Sequence, residues 1–159
     1  MVNSAARMPT ELPTKRVFVA GPFTPALRVG SGFDSHTRMR LERILQIVRE
    51  IGCNLFSSHE VEDWGRLLAA PSALADRDVD ELSNASHLLL YVGHIVSLGA
   101  LIELGYMVAL RKPILVLTDS EHAINSAFYR GLVETGHIRE EPFSSPESLT
   151  TIIRKFLSS

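Results

Sequence analysis

Three features of the sequence predict an α/β fold in which a parallel sheet lies between two layers of helices. Short apolar runs of strand length occur four times, and each is followed by a longer segment whose apolar residues have helical spacing. Strands that alternate with helices in this way form parallel sheets. The 159 residues suffice for one such domain and not for two substantial ones. With right-handed crossovers, the expected architecture is a doubly wound parallel sheet, a flavodoxin-like (Rossmann-like) three-layer sandwich.

The first half of the chain contains two of these strands. The run Val17–Ala20 is apolar and stops at a Gly-Pro pair, which predicts a short buried strand. Apolar residues at helical spacing predict a helix over 37–51, and Gly52 ends it because glycine accepts the left-handed conformation at a helix end. Residues 54–57 predict the second strand, and a loop leads from it to a helix over 72–82.

The second half repeats the pattern and then closes the domain. An apolar strand is predicted from Leu88 to Val92, followed by a turn and a helix that begins near Leu98. Pro113 separates this helix from a fourth strand at 114–117. The remaining predicted elements are a helix around 123–134, a short edge strand in the linker after it, and a closing helix from Pro146 that Ser145 caps.

Composition excludes several classes of function. Sixteen basic residues against 18 acidic ones give a net charge of −2, and no basic run suggests binding to a nucleic-acid polymer. No apolar stretch reaches the roughly 18 residues of a membrane span, and the one cysteine excludes an intrachain disulfide framework. We expect a flexible tail over residues 1–14, a single domain over residues 15–159, a cytoplasmic location and a small-molecule ligand.

Glu103 is the most informative residue, because it is the one charged residue in the run from Leu88 to Leu110. Burial of a lone carboxylate costs several kcal/mol unless something compensates. Glu103 lies in the second turn of a helix that follows a strand, and that edge of an α/β sheet is where ligands bind. The alternative is structural: Glu103 caps a neighbouring backbone or pairs with an arginine across an interface.

Two common ligand motifs are absent after the first strand. A dinucleotide-binding turn needs Gly-x-Gly-x-x-Gly, and Gly21-Pro22-Phe23 does not supply it. A phosphoacceptor domain needs acidic residues at this position, and no phosphate-binding Walker loop occurs in the chain.

Four ordered motifs carry a family resemblance over roughly residues 16–118. They are the stretch 17–23 (VFVAGPF), the stretch 78–85 that ends Leu-Ser-Asn-Ala, the stretch 103–105 (ELG) and the pair 112–113 (KP). Together they resemble the nucleoside 2-deoxyribosyltransferase superfamily. Within it the chain most resembles the nucleoside 5′-monophosphate N-glycosidases, including enzymes that cleave CMP, which share the His59 to Gly65 segment.

The resemblance implies roles for two carboxylates. Glu103 would be the nucleophile that attacks the anomeric carbon as the base departs, and a helix N-terminus favours the ionised form that can attack. Asp78 would contact the base and deliver its proton as general acid. From the residues alone, Asp78 is also explained as part of a polar helix end with Asp76 and Asp80. The reaction needs no cofactor, and we expect no metal.

Two further positions favour a phosphorylated ribonucleotide. Deoxyribosyltransferases commonly carry an aspartate where this chain has Ser97, and a serine hydroxyl can donate to a 5′-phosphate that a carboxylate would repel. Phe18 stands where many of them have a tyrosine, and loss of that hydroxyl leaves space for a ribose 2′-hydroxyl. The alternatives are a plain helix cap for Ser97 and an ordinary core residue for Phe18.

The same resemblance predicts the remaining substrate contacts. Gly21, Phe23 and Gly99 are expected to bind the substrate, and Phe23 and Trp64 can stack on its base. Trp64 can equally pack its loop against the sheet. Ser126 is similar to a residue that reaches the phosphate of a neighbouring subunit, which implies a homodimer with composite sites; the alternative is a serine on a surface helix.

Three functions therefore remain open. The first is hydrolysis of the N-glycosidic bond of a nucleoside 5′-monophosphate such as CMP, through a glycosyl ester of Glu103. The second is a nucleoside 2′-deoxyribosyltransferase that exchanges bases. The third is a nucleotide-binding module without catalysis, although the presence of both Glu103 and Asp78 argues against it.

Overall fold

A computed structural model of the protein describes residues 14–28, 32–94, 96–119 and 124–159. The expected flexible tail lies outside the described residues, except for Thr14. The elements in chain order are β1 (Arg16–Ala20), β2 (Leu27–Arg28), β3 (Gly32–Phe33), α1 (Ser35–Ile51), β4 (Asn54–Phe56), α2 (Ser58–Val61), α3 (Pro71–Asn84), β5 (His87–Val92), α4 (Leu98–Ala109), β6 (Ile114–Thr118), α5 (Ala127–Glu134), β7 (Arg139–Pro142) and α6 (Pro146–Ser158).

The main sheet confirms the predicted fold class. Five strands lie in the order β4-β1-β5-β6-β7, and every neighbouring pair is parallel. Counted among these five strands alone, this is the flavodoxin-like order 2-1-3-4-5. The order reverses between β1 and β5, which pair from Val17 with His87 to Ala20 with Leu90. In such sheets a ligand crevice lies outside the carboxyl ends of the strands at this reversal.

The sheet is buried on both faces because alternate strand residues pack against different helices. On one face, α1 and α6 cover Val17, Val19 and their neighbours on β5 and β6. On the other face, α3, α4 and α5 cover Phe18, Ala20 and their neighbours. All residues of β5 and β6 are buried, which explains why both strands are apolar except for His87 and Thr118 at their outer ends.

Most helix boundaries follow from their capping residues. The Asp34 carboxylate caps α1 by accepting from the Thr37 N–H, and Gly52 ends that helix with a φ of 87°. Ser145 and Ser148 form a capping box at the start of α6, as the Ser145-Pro146 pair predicts. The predicted helix around 123–134 begins only at Ala127, and residues 120–123 lie outside the described part of the chain.

A tight turn between β4 and α3 was not predicted. Asp63, Trp64 and Gly65 have φ values of 43°, 55° and 89°, so three successive residues adopt the left-handed conformation. A Cβ on Gly65 would lie 2.2 Å from Leu27 Cδ2, so only glycine permits this contact with the hairpin formed by β2 and β3. The turn holds the hairpin against the end of the sheet. No helix in the described ranges is long and apolar enough to cross a membrane.

Candidate active site

A cavity of about 110 Å³ lies at the carboxyl end of β1, where the strand order reverses. Its walls come from β1 and the residues after it, from α2 and α3, and from the first turns of α4. This volume is below the roughly 300–1,000 Å³ of typical small-molecule pockets. One chain therefore encloses only part of a nucleotide-sized ligand. The predicted site residues that line the cavity are Phe18, Gly21, Phe23, Asp78, Ser97, Gly99 and Glu103.

Glu103 reaches the cavity from the second turn of α4. Its side chain is half-buried, and no arginine in the described part of the chain pairs with it. Burial first, and then the negative charge of Asp78, raise the pKa of the Glu103 carboxyl to about 8. We expected the N-terminus of α4 to favour the ionised form. Burial and the charge of Asp78 outweigh this effect, so Glu103 is mostly protonated at neutral pH.

Asp78 faces the same cavity from α3, and donors occupy both of its carboxylate oxygens. Ser58 Oγ donates to Oδ2 over 2.8 Å, and Arg77 Nε donates to Oδ1 over 2.9 Å. Asp78 is buried, whereas Asp76 and Asp80 on the same helix are exposed. In its burial, Asp78 thus differs from Asp76 and Asp80, with which the sequence pattern groups it. Asp78 and Glu103 line the same cavity, and the negative charge of Asp78 contributes to the raised pKa of the Glu103 carboxyl.

Ser97 lies at the N-cap position of α4, but its side chain makes no capping hydrogen bond. The residue is buried, and its hydroxyl lies beside Gly99, where an added Cβ would be 3.7 Å from Ser97 Oγ. The first N–H groups of α4 have no partner within the helix. A hydroxyl and a helix N-terminus together can donate several hydrogen bonds to an anion.

The residues that follow β1 shape the wall of the cavity opposite α4. Phe18 is buried and packs against Phe56, with ring centroids 5.2 Å apart, so it is both a core residue and a lining residue. Gly21 is constrained by the core, because an added Cβ would lie 2.9 Å from Leu41 Cδ2. Phe23 is half-buried and contacts His59, with ring centroids 5.1 Å apart.

Trp64 does not line the cavity. It is buried in the core, with its ring 5.4 Å from that of Phe33 and 5.6 Å from that of His59, and the Arg38 guanidinium lies 4.8 Å above it. Of the two roles that the sequence allowed for Trp64, its position in the core fits the packing of its loop against the sheet. Its contact with the cavity is indirect, through His59 and Phe23.

His59 lines the cavity as a neutral group. Burial lowers the pKa of His59 to about 4, and the hydrogen bond with the Pro22 carbonyl raises it by a smaller amount. Its Nε2 lies 3.3 Å from the Pro22 oxygen, which can only accept, so Nε2 carries the hydrogen. Nδ1 then accepts from Ser57 Oγ over 3.2 Å. With both nitrogens engaged, His59 fixes the loop and the Phe23 ring.

Ser126 lies away from this cavity within its own chain. It is the N-cap of α5 and accepts a hydrogen bond from the Tyr129 N–H over 3.3 Å. It lines a second, largely apolar groove of about 320 Å³ between α4 and α5. Near this groove, Leu98, Ile102 and Phe128 are 80%, 73% and 77% exposed. Large apolar side chains grouped in this way mark a surface that another molecule covers.

Sequence reasoning missed three residues that support the site. Ser58 and Arg77 bind Asp78, and Glu62 binds Arg77. Ser58 could have been found, since it follows β4 at the same carboxyl edge of the sheet. Arg77 and Glu62 gave no signal, because their contact depends on how a loop folds over a helix. In the described ranges, no cluster of three or more His, Cys, Asp or Glu residues could hold a metal ion.

Solved structures share this fold. The Clostridium botulinum CMP N-glycosidase BcmB aligns with a TM-score of 0.65 and 18% identity over 89% of this chain and 99% of its own. The solution structure of BlsM aligns with a TM-score of 0.72 and 22% identity over 91% and 93%. A 2-deoxyribosyltransferase from Bacillus psychrosaccharolyticus aligns with a TM-score of 0.62 and 17% identity over 85% and 90%.

These likenesses show the fold, and their identities are too low to carry an activity to this chain. The neighbours do include the two kinds of enzyme that the motif resemblance names, an N-glycosidase and a 2-deoxyribosyltransferase. No protein-family model matches the chain, and no curated protein matches it either.

The raised pKa of Glu103 predicts how the free energy of unfolding depends on pH. Between about pH 4.5 and pH 8, Glu103 is protonated in the folded protein and ionised in the unfolded chain. The folded state then binds more protons, so stability falls as the pH rises through this window. Glu103→Gln removes this titration. We expect the variant to gain stability over the wild type by up to about 1.4 kcal/mol per pH unit.

Urea unfolding of both proteins at several pH values across this window measures the difference. Glu81→Gln, which removes a carboxylate paired with Arg16 outside the cavity, is the matched control. A difference between wild type and Glu103→Gln that does not change with pH would contradict the prediction.

Proposed function

We propose that the protein is an N-glycosidase of nucleoside 5′-monophosphates in the nucleoside 2-deoxyribosyltransferase superfamily. The observation that carries the proposal is the meeting of Glu103 and Asp78 in one cavity at the reversal of strand order. The unengaged hydroxyl of Ser97 and the N-terminus of α4 lie at the same cavity, where they can bind a phosphate. Its structural likeness to the CMP N-glycosidase BcmB supports the choice of a ribonucleotide such as CMP.

The first step cleaves the glycosidic bond. In the reactive form, the carboxyl groups of Glu103 and Asp78 hold one proton between them. This proton lies on Asp78, and Glu103 is ionised. A Glu103 oxygen bonds to the anomeric carbon while the bond from that carbon to the base nitrogen breaks. The electron pair of that bond goes to the base, which takes the proton of Asp78. The product is a free base and a pentose 5-phosphate bound to Glu103 as an ester.

The second step restores the enzyme. Water attacks the anomeric carbon, the bond to Glu103 breaks, and the water gives its proton to Asp78. The pair is again singly protonated. The sum is one nucleotide and one water converted to one base and one ribose 5-phosphate. If a second base attacked in place of water, the protein would be a transferase, which is the alternative function.

Phe18 supports a preference for ribose. Its ring lines the cavity and is held by Phe56, and it carries no hydroxyl to occupy the space beside the sugar. A ribose 2′-hydroxyl can then fit where a tyrosine hydroxyl would otherwise project.

A homodimer would complete the site. The exposed apolar side chains of Leu98 and Ile102 share α4 with Gly99 and Glu103, so a subunit that covers them lies next to the cavity. The cavity of one chain is also too small for a whole nucleotide. The Ser126 hydroxyl accepts from Tyr129 N–H in its own chain and keeps its hydrogen to donate to a phosphate in the partner's site.

The proposal predicts release of free base from nucleoside 5′-monophosphates. Purified protein is incubated with CMP, UMP, AMP and GMP, their deoxy forms and the matching nucleosides, and free base is measured by chromatography. Release from monophosphates and none from nucleosides is expected, with ribonucleotides faster than deoxyribonucleotides. Glu103→Gln should abolish release, and Phe18→Tyr should narrow the ratio of ribo to deoxy rates. Release that occurs only when a second base is added would establish the transferase instead.

Ser97→Asp tests where the phosphate binds. An aspartate is well tolerated at the N-cap position of a helix, but its carboxylate repels a 5′-phosphate. We expect KM for the active nucleotide to rise roughly ten- to hundredfold, since a hydrogen bond to a charged group contributes about 1.5–3 kcal/mol. Ser97→Asn also suits the N-cap position and offers a donor without the charge, so it should raise KM much less. An equal KM for the two variants would place the phosphate elsewhere.

Mixing two inactive variants tests the composite dimer. Ser126→Asp keeps the cap of α5 but repels a phosphate, so it should lose activity as Glu103→Gln does. In a dimer of the two variants, one site combines the intact Glu103 of one chain with the intact Ser126 of the other. Random mixing by refolding should recover about a quarter of the wild-type activity. No gain over the separate variants would show that each chain builds its site alone.

A further inference from the structure

A network of ion pairs joins Asp78 to Glu62 through Arg77, outside the lining of the cavity. Arg77 bridges two carboxylates: its Nε donates to Asp78 Oδ1 over 2.9 Å, and its Nη2 donates to Glu62 Oε1 over 3.2 Å. The guanidinium also lies 5.6 Å from the ring centre of Phe56, which packs on Phe18 in the cavity wall. Arg77 therefore joins Glu62, which follows α2, to Asp78 on the side of α3 that lines the cavity.

Glu62 is an unusual residue in this position. It is 1% exposed, and its Oε2 is buried without a hydrogen-bond partner in the described part of the chain. A buried carboxylate with one oxygen unsatisfied destabilises a fold. Within the described part of the chain, the one polar contact of the Glu62 side chain is with Arg77, so we look for its role in this arginine.

We propose that Arg77 and Glu62 are positioning residues that orient Asp78 and set how readily it takes and gives a proton. The proposal rests on the proposed function, in which Asp78 protonates the departing base. Arg77 and Ser58 hold the two oxygens of Asp78, so its carboxyl group cannot rotate away from the cavity. Neither residue lines the cavity, so both act through Asp78.

The positive charge of Arg77 explains why the Glu62 carboxylate is needed beside it. Arg77 alone beside Asp78 would stabilise its ionised form, and an Asp78 that never takes a proton cannot donate one. Glu62 shares the same guanidinium and offsets part of its positive charge. The titratable groups that face Asp78 are then Glu103 from α4, His59 from α2, which is neutral, and Arg77 with Glu62.

Loss of the Glu62 charge and loss of the Arg77 charge should shift the pH profile of kcat/KM in opposite directions. The proposed reaction needs one proton on the two carboxyl groups, so kcat/KM should fall as the pH passes about 8, the raised pKa of Glu103. In Glu62→Gln, the positive charge of Arg77 is no longer offset by Glu62 and acts more strongly on Asp78 and Glu103. The pH at which kcat/KM falls should then be lower by roughly half a unit. Arg77→Met removes the positive charge, and the pH at which kcat/KM falls should be higher by about one unit.

The experiment measures pH profiles of base release for the wild type and four variants. Arg77→Met should also lower kcat roughly ten- to hundredfold with little change in KM, because general-acid catalysis is worth about 10²–10⁴-fold. Arg77→Lys should restore part of kcat, since it keeps the charge, and it serves as the second variant if Arg77→Met does not fold. Glu81→Gln on the same helix is the control that should leave the profile unchanged.

A second readout needs no substrate. Carbon NMR of the Glu103 carboxyl gives its titration midpoint, which should fall in Glu62→Gln and rise in Arg77→Met. Shifts of the same sign in both variants, or none beyond that of Glu81→Gln, would overturn the proposal. If the wild type releases no base from any nucleotide, the proposed function fails, while this titration still decides whether the network acts on the pair.

Discussion

Two carboxylates forced together in a confined cavity are the constraint on which the rest of the site depends. Glu103 comes from α4 and Asp78 from α3, and each helix is held to the sheet by its own apolar contacts. Burial in the cavity and the negative charge of Asp78 both raise the pKa of the Glu103 carboxyl, to about 8. The proposed reaction needs one nucleophilic and one acidic carboxyl group, and the fold brings two carboxylates into one shielded cavity.

Helix α4 serves three purposes with three of its faces. Leu104 and Met107 pack into the core, Glu103 faces the cavity, and Ile102 is exposed beside the groove between α4 and α5. This arrangement explains why the helix is apolar almost all round, which an isolated surface helix would not be. The cavity and the exposed apolar face therefore share one rigid element, so in the proposed dimer a partner that covers this face would lie beside the cavity.

The elements that sequence reasoning predicted well are those with strong local signals. The strands, α1, α3, α4 and α6 lie within a few residues of their predicted bounds, because apolar periodicity and caps such as Gly52 are read locally. The hairpin of β2 and β3 and the turn at Asp63–Gly65 gave no such signal. Two left-handed residues that are not glycine are held by their surroundings and not by their own preference.

The sequence by itself determined the class of fold and drew attention to one carboxylate. Alternating strands and helices predict a parallel sheet, and Glu103 stands out in an uncharged run, with a functional and a structural explanation both open from the sequence. Only the tertiary structure decided what surrounds that carboxylate. It brings Asp78 to Glu103, places Trp64 in the core away from the cavity, and buries Glu62 against Arg77. These contacts join residues far apart in the chain, or neighbours such as Arg77 and Asp78 that an ideal helix directs apart, so no local pattern encodes them.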